Sequence, residues 1–162
     1  FKIKSDGTLK DRFVAKGYSQ RADIDFFDIY AAVVRTGTSG STLRTVLSIC
    51  TNLLDWDLAG IDFVQAFING DLTEEIYIHP PPGSDAAAQG KLCRLRKTLY
   101  GLKQSARAWN DKLTKDLISI GFHQSDEDDC LFIMAGSDGR PCAYITVYVD
   151  DCAIACSNRS QR

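Results

Sequence analysis

From Ala143 to Ala155 the chain is almost wholly apolar, broken once by the adjacent carboxylates Asp150 and Asp151. An apolar strand, Ala143 to Val149, leads into the two acids, and a second, Cys152 to Ala155, leads out, which reads as a β-hairpin. Aspartate is an ordinary turn residue, so a plain polar turn is one reading of the pair. Two features disturb it. No glycine stands there to take the positive φ that a two-residue hairpin turn usually requires. The flanks are also apolar enough to set both acids beside a packed sheet, where like charges repel unless a cation compensates them.

A third carboxylate, Asp62, sits near the end of the other strongly apolar run, Trp56 to Phe63, which reads as a buried strand. Taken by itself it is a strand-end turn residue or a helix cap. If its strand lies beside the hairpin, Asp62, Asp150 and Asp151 converge. Three carboxylates suit two Mg²⁺ ions held about 3.5–4 Å apart, with Mn²⁺ as a substitute, the arrangement that serves nucleotidyl transfer to a 3′-hydroxyl.

A length of 162 residues, 44% of them hydrophobic and 25% charged, fits one globular domain with a real core and argues against disorder. No apolar run approaches the roughly 18–20 residues that span a bilayer, and no secretory leader stands at the start, so no membrane partner is expected. The chain opens on Phe1 and stops on a polar tail, 158–162, which marks it as an excerpt of something longer. The net charge of −2 hides a segregation: residues 1–21 carry +4, 22–90 carry −8, 91–115 carry +7 and 116–151 carry −7. Phosphate binding and metal binding need opposite fields, and such blocks would serve both; clustered solvated faces would look the same. The six cysteines, Cys50, Cys93, Cys130, Cys142, Cys152 and Cys156, form no CxxC pair and stand apart from His79 and His123, so a zinc site is not expected and a reducing compartment is.

Along the chain, Phe1–Lys4 and Leu9–Ala15 read as two strands around Ser5-Asp6-Gly7, with Arg12, Val14 and Lys16 on one face. Leu43, Val46, Leu47, Cys50, Leu53 and Leu54 recur at helical spacing from Thr42, with Ser39 or Ser41 as N-cap. Ile76–His79 reads as a short strand, 84–90 as a loop, and Lys91–Lys97 as an extended segment with a cationic face. Trp109, Leu113, Leu117 and Ile120 form a helical stripe closed by Gly121. Leu131–Met134 and Cys142–Val149 read as strands joined through Ser137-Asp138-Gly139. Strands and helices mix irregularly, so the class is α+β.

The segments Arg12-Phe-Val-Ala-Lys-Gly-Tyr-Ser-Gln20, Ile61-Asp-Phe-Val-Gln-Ala-Phe-Ile-Asn-Gly-Asp-Leu72, Glu75-Ile-Tyr-Ile-His-Pro-Pro-Pro-Gly83, Leu99-Tyr-Gly-Leu-Lys-Gln104, Arg107-Ala-Trp109 and Tyr148-Val-Asp-Asp151 together resemble the copia-type LTR-retrotransposon reverse transcriptase. The resemblance covers nearly the whole chain in the family's order. It implies the fingers and palm of a right-hand polymerase, with an antiparallel palm sheet packed on helices and the thumb absent. The reverse transcriptase domain would be 1–157, with fingers at about 1–37 and 70–104 and palm at about 38–69 and 105–157. The implied reaction is RNA-directed DNA synthesis, adding dNTPs to a primer 3′-OH on an RNA or DNA template.

By the same resemblance Asp62, Asp150 and Asp151 are the catalytic, metal-binding carboxylates. Arg12, Lys16, Phe67, Tyr100 and Gly101 are expected at the nucleotide, and Lys103, Arg107 and Tyr148 at template and primer. Read without the family, Phe67 is a core aromatic, Arg12 and Lys16 a solvated strand face, Tyr100-Gly101 a turn before a helix, and Trp109 helix core. The implied partners are the remaining Pol polyprotein parts (thumb, RNase H and integrase), within a cytoplasmic virus-like particle. The chain departs from the family at Ala31-Ala32, Ser105-Ala106 and Ser84, and at the Gly-rich Thr36–Ser41; lost prolines are expected to loosen loops. A catalytically silent nucleic-acid-binding remnant is the competing reading, and a nucleotidyl cyclase a third.

Overall fold

The computed structural model describes residues 2–3, 5, 7–10, 13–31, 40–52 and 54–157. Arg12, Ala32, Ser39, Leu53 and the tail 158–162 lie outside the described residues. The chain divides into two compact units, Phe1–Tyr30 with Phe67–Trp109, and Ala31–Ala66 with Asn110–Arg162.

In the first unit, β1 (Lys2–Ile3) pairs antiparallel with β2 (Leu9–Lys10), and β4 (Tyr77–Ile78) with β5 (Cys93–Arg94). The strand expected to reach Ala15 does not: residues 13–16 lie outside any strand, and β2 is described over Leu9–Lys10. Val14 and Lys16 lie beyond it, because the Ala15 N–H donates not to a β ladder but to the Tyr100 carbonyl (2.7 Å), and the chain then turns through a 3₁₀ segment, Gly17–Ser19. The expected loop at 84–90 contains a short helix, α2 (Asp85–Ala88). Its cap is Ser84, whose hydroxyl accepts from the Ala87 N–H (3.3 Å) and donates to the Pro81 carbonyl (2.8 Å). Ser105 likewise closes a turn, its buried hydroxyl donating to the Leu99 carbonyl (2.6 Å). Both departures from the family pattern therefore sit in hydrogen-bonded turns, the second at Ser105-Ala106, where the lost proline was expected to loosen the loop.

The second unit is built on a five-stranded antiparallel sheet in the order β3-β9-β8-β7-β6: β3 (Asp57–Asp62), β9 (Asp151–Cys156), β8 (Pro141–Tyr148), β7 (Leu131–Ala135) and β6 (Phe122–Gln124). β6 is a strand the hydrophobic pattern does not announce. Helix α1 (Gly40–Asn52) lies against β9 and β3. It already includes Ser41, which rules that residue out as N-cap. Leu43, Val46 and Leu47 are half-buried and Cys50 is fully buried, as the i, i+3, i+4, i+7 spacing requires. Trp56 follows the helix, stacks on Tyr144 of β8 (5.4 Å between ring centroids) and donates its backbone N–H to the Cys50 carbonyl.

Residues of α3 (Ser105–Ser119) fall in both units; Trp109, Leu113 and Leu117 are buried, whereas Ile120, just past the helix end, is 63% exposed. The sheet's own core is Phe132, Ala143, Ile145, Val147 and Cys152. β3 is not the buried strand expected. All six of its residues are exposed, Leu58 and Ile61 included, because it pairs only with β9 and forms the sheet's edge. The sheet is antiparallel and the class α+β.

All six thiols are free. Burial, followed by the nearby charges of Asp151 and Asp150, pushes Cys152 from 9.0 to about 11, and burial with Asp128 and Asp129 does the same to Cys130. A thiol that holds its proton more tightly folded than unfolded stabilises the fold below the ordinary thiol range and loses that contribution as pH rises through the folded value. Stability should therefore fall between pH 9 and about 11, and a Cys130→Ala/Cys152→Ala variant should show a flatter decline in urea midpoint over that window. At neutral pH, Phe132→Ala should cost about 3–5 kcal/mol in the same assay, as for other buried aromatics, while Phe27→Ala on the surface should stay within about 0.5 kcal/mol.

Candidate active site on the sheet end and the motif clasp

The β3–β9 register pairs Asp62 directly with Asp151, and the β8–β9 register pairs Asp151 with Tyr148. Residues directly opposite in an antiparallel pair project to the same face with Cβ atoms about 4.5–5.5 Å apart. Asp62, Asp151 and Tyr148 thus stand side by side at one end of the sheet. Asp150 occupies the turn, and its carbonyl accepts the Phe63 N–H (2.9 Å), which ties the hairpin to the strand carrying Asp62.

Asp62 and Asp151 also line a cavity of about 380 Å³, together with Tyr148, Thr146, Gly60 and Leu43 of α1. Asp150 is not among its lining residues. Among the described residues no lysine, arginine or histidine forms an ion pair with any of the three acids, and no three acidic, thiol or imidazole groups gather into a closed cation cage. What the register provides is an open, exposed pair of hard oxygen donors with a third on the adjoining turn. That donor set fits Mg²⁺ or Mn²⁺, since Mg²⁺ keeps several of its waters and is usually held by one or two carboxylates.

The turn itself is strained. Tyr148-Val149-Asp150-Asp151 is a two-residue hairpin whose first loop residue, Val149, has φ 58°. A β-branched side chain there is a genuine outlier, held only where its surroundings over-determine it. Glycine fits that position without penalty.

The first unit holds most of the other residues singled out in the sequence. Phe67 and Tyr100 meet with ring centroids 5.1 Å apart. Thr98, fully buried, donates its hydroxyl to the Phe67 carbonyl. Gly101 (φ 92°) and Gly17 touch through their backbones. A Cβ on Gly17 would sit 1.8 Å from the Gly101 carbonyl oxygen, and one on Gly101 would sit 2.2 Å from the Ala15 carbonyl oxygen, so neither position admits a side chain. Lys16 is exposed beside this contact. Lys103 places its ammonium over the Phe26 ring (4.7 Å to the centroid). Arg107 pairs with Asp28, whose carboxyl is held below its ordinary value by the Tyr30 N–H first and by Arg107 after it.

Two residues absent from the expected set join these segments. The Gln20 side chain donates to the Gln104 side-chain oxygen (3.0 Å) and accepts from the Lys103 N–H (2.8 Å), while Gln104 donates to the Asp25 carbonyl (2.9 Å). Both glutamines stand at the last position of a quoted motif, Arg12–Gln20 and Leu99–Gln104; that shared place is the one signal that could have marked them.

Replacing Val149 with glycine should raise the unfolding free energy by about 1 kcal/mol in urea titration, because it removes the positive-φ penalty without touching a carboxylate.

The family described as reverse transcriptase (RNA-dependent DNA polymerase) matches residues 1–161. Curated relatives include the retrovirus-related Pol polyproteins from transposons RE2 and RE1 of Arabidopsis thaliana, 40% and 39% identical over 157 residues, 94% of this chain and 10% of each relative. The corresponding polyprotein from transposon TNT 1-94 of Nicotiana tabacum is 36% identical over 160 residues, 95% of this chain and 12% of that relative. The chain thus spans about a tenth of the length of these relatives. No solved structure matches it significantly. With the family matched over residues 1–161 and these relatives 36–40% identical over nearly the whole chain, the chain belongs to the reverse transcriptase family, in the form carried by copia-type retrotransposon Pol polyproteins.

Proposed function

We propose that this chain is the fingers and palm part of an RNA-directed DNA polymerase that joins deoxynucleotides to a primer 3′-hydroxyl on an RNA or DNA template. The observation that carries the reading is the register that sets Asp62 against Asp151, with Asp150 on the adjoining turn. The division of the chain into two units, with boundaries near 30, 66 and 109, supports fingers drawn from 1–37 and 70–104 and palm from 38–69 and 105–157.

Reverse transcriptases depend on divalent metal, which when bound supplies charge for the phosphates and acidity for the primer hydroxyl. In this reading Asp62, Asp150 and Asp151 hold two such ions. Tyr148, exposed beside Asp151, offers a flat aromatic surface to the primer end. On the first unit, Gly101 lets the Tyr100 turn close against the Ala15–Gly17 backbone, Tyr100 and Phe67 flank the nucleotide's sugar and base, and the Phe67 ring excludes a 2′-hydroxyl by bulk. Lys16, with Arg12, meets the triphosphate; Lys103 and Arg107 meet the template backbone, Arg107 by exchanging Asp28 for a phosphate. The thumb, RNase H and integrase of the parent polyprotein complete the enzyme, working in a cytoplasmic particle. Among the described residues no helix is long and apolar enough to cross a membrane.

Primer extension by the longer parent polyprotein, in Mg²⁺, tests this reading. Asp62→Asn, Asp150→Asn or Asp151→Asn should each cut extension by about 10²–10³-fold or more while leaving primer–template affinity within about twofold. A parent chain that binds primer–template in a salt-sensitive way yet extends nothing would instead be the silent remnant.

A further inference from the structure

The two motifs that carry the expected nucleotide contacts, 12–20 and 99–104, are far apart in sequence and joined in the fold by three kinds of contact. The first is the Gly17–Gly101 backbone approach, the second the Ala15 N–H to Tyr100 carbonyl bond, and the third the glutamine pair. The glycine approach only permits closeness; bare backbones in contact do not fix a register. The glutamines do. Their amides form a chain with one donor direction: Lys103 N–H to Gln20, Gln20 to Gln104, Gln104 to the Asp25 carbonyl. Gln104 is 3% exposed, so its polar atoms must be satisfied inside the protein, and they are: its oxygen accepts from Gln20 and its nitrogen donates to the Asp25 carbonyl. A glutamate at either place would lose a donor, and a methionine at 104 would keep the shape and lose both bonds.

We infer that Gln20 and Gln104 are positioning residues: their paired amides clasp the Lys16 segment to the Tyr100-Gly101 turn, so that the two halves of the nucleotide site move as one body. Neither glutamine touches the nucleotide; each acts through the backbone it holds. The inference rests on the polymerase reading for its kinetic consequence, but the clasp itself can be tested without it.

The test uses the parent polyprotein with Gln20→Ala and with Gln104→Met, the second keeping core volume. Amide hydrogen exchange should show the Ala15 and Lys103 N–H groups losing roughly tenfold or more protection in both variants, with no change at Phe132 in the sheet core. In primer extension the KM for dNTP should rise about three- to tenfold, the size of one net hydrogen bond, with kcat and primer–template affinity within about twofold. A merely structural role would lower the fraction of active enzyme and leave KM where it was. Unchanged protection at Ala15, or a KM unmoved in an active enzyme, overturns the inference. An unmodified parent that extends no primer refutes the polymerase reading, and the exchange result still decides the clasp.

Discussion

The pairing of β3 with β9 is the contact on which the site depends. It runs without a bulge over six residue pairs, from Asp57 with Cys156 to Asp62 with Asp151. Side chains alternate along a strand, so a slip of one residue would turn Asp62 to the opposite face from Asp151. The register is held at its far end by α1 and by Trp56, stacked on Tyr144, and at its near end by the bond from the Phe63 N–H to the Asp150 carbonyl. Two carboxylates side by side repel, and that cost falls on a ladder fixed from both ends. The strain at Val149 sits in the same place, paid for by the same ladder.

The parts of this arrangement that local pattern dictates were legible in the sequence. The apolar runs around Asp150-Asp151 specified a hairpin, and helical spacing specified α1 and the buried face of α3, because in each case neighbours along the chain are neighbours in space. The α+β class followed from the same patterns, and the antiparallel sheet was what the family resemblance implied. Three things were hidden. The exposure of β3 depends on which strand lies at the sheet's edge, and an apolar run does not encode that. The helix at 85–88 has no periodicity to detect; Ser84 ahead of three alanines was its only sign. The placement of Val149 at positive φ contradicts its side chain's own preference and arises from tertiary contacts.

The candidate site divides along the same line. Asp62, Asp150 and Asp151 stood out because acids in apolar strands are anomalous wherever they occur. Gln20 and Gln104 did not, since a glutamine in sequence carries no hint of whether it is buried or paired. Their partners lie 79 to 84 residues away, across two motifs that look independent on paper. Resemblance named the motifs; it took the fold to show that they are one piece.

The alternation of charge blocks along the sequence has a different meaning in three dimensions. In the first unit the acidic block supplies counter-ions to the basic one: Asp28 meets Arg107, Asp71 meets Lys97, and Glu75 meets Arg94. These pairs are exposed, and each is worth little in stability. At the sheet end the opposite holds. Among the described residues no basic side chain pairs with Asp62, Asp150 or Asp151. A chain with 19 basic residues for 21 acidic ones could have supplied partners there, as it does elsewhere. Among the described residues, three acids at one sheet end with no basic partner, on strands paired over six residues, make sense where the compensating charge comes from outside the chain.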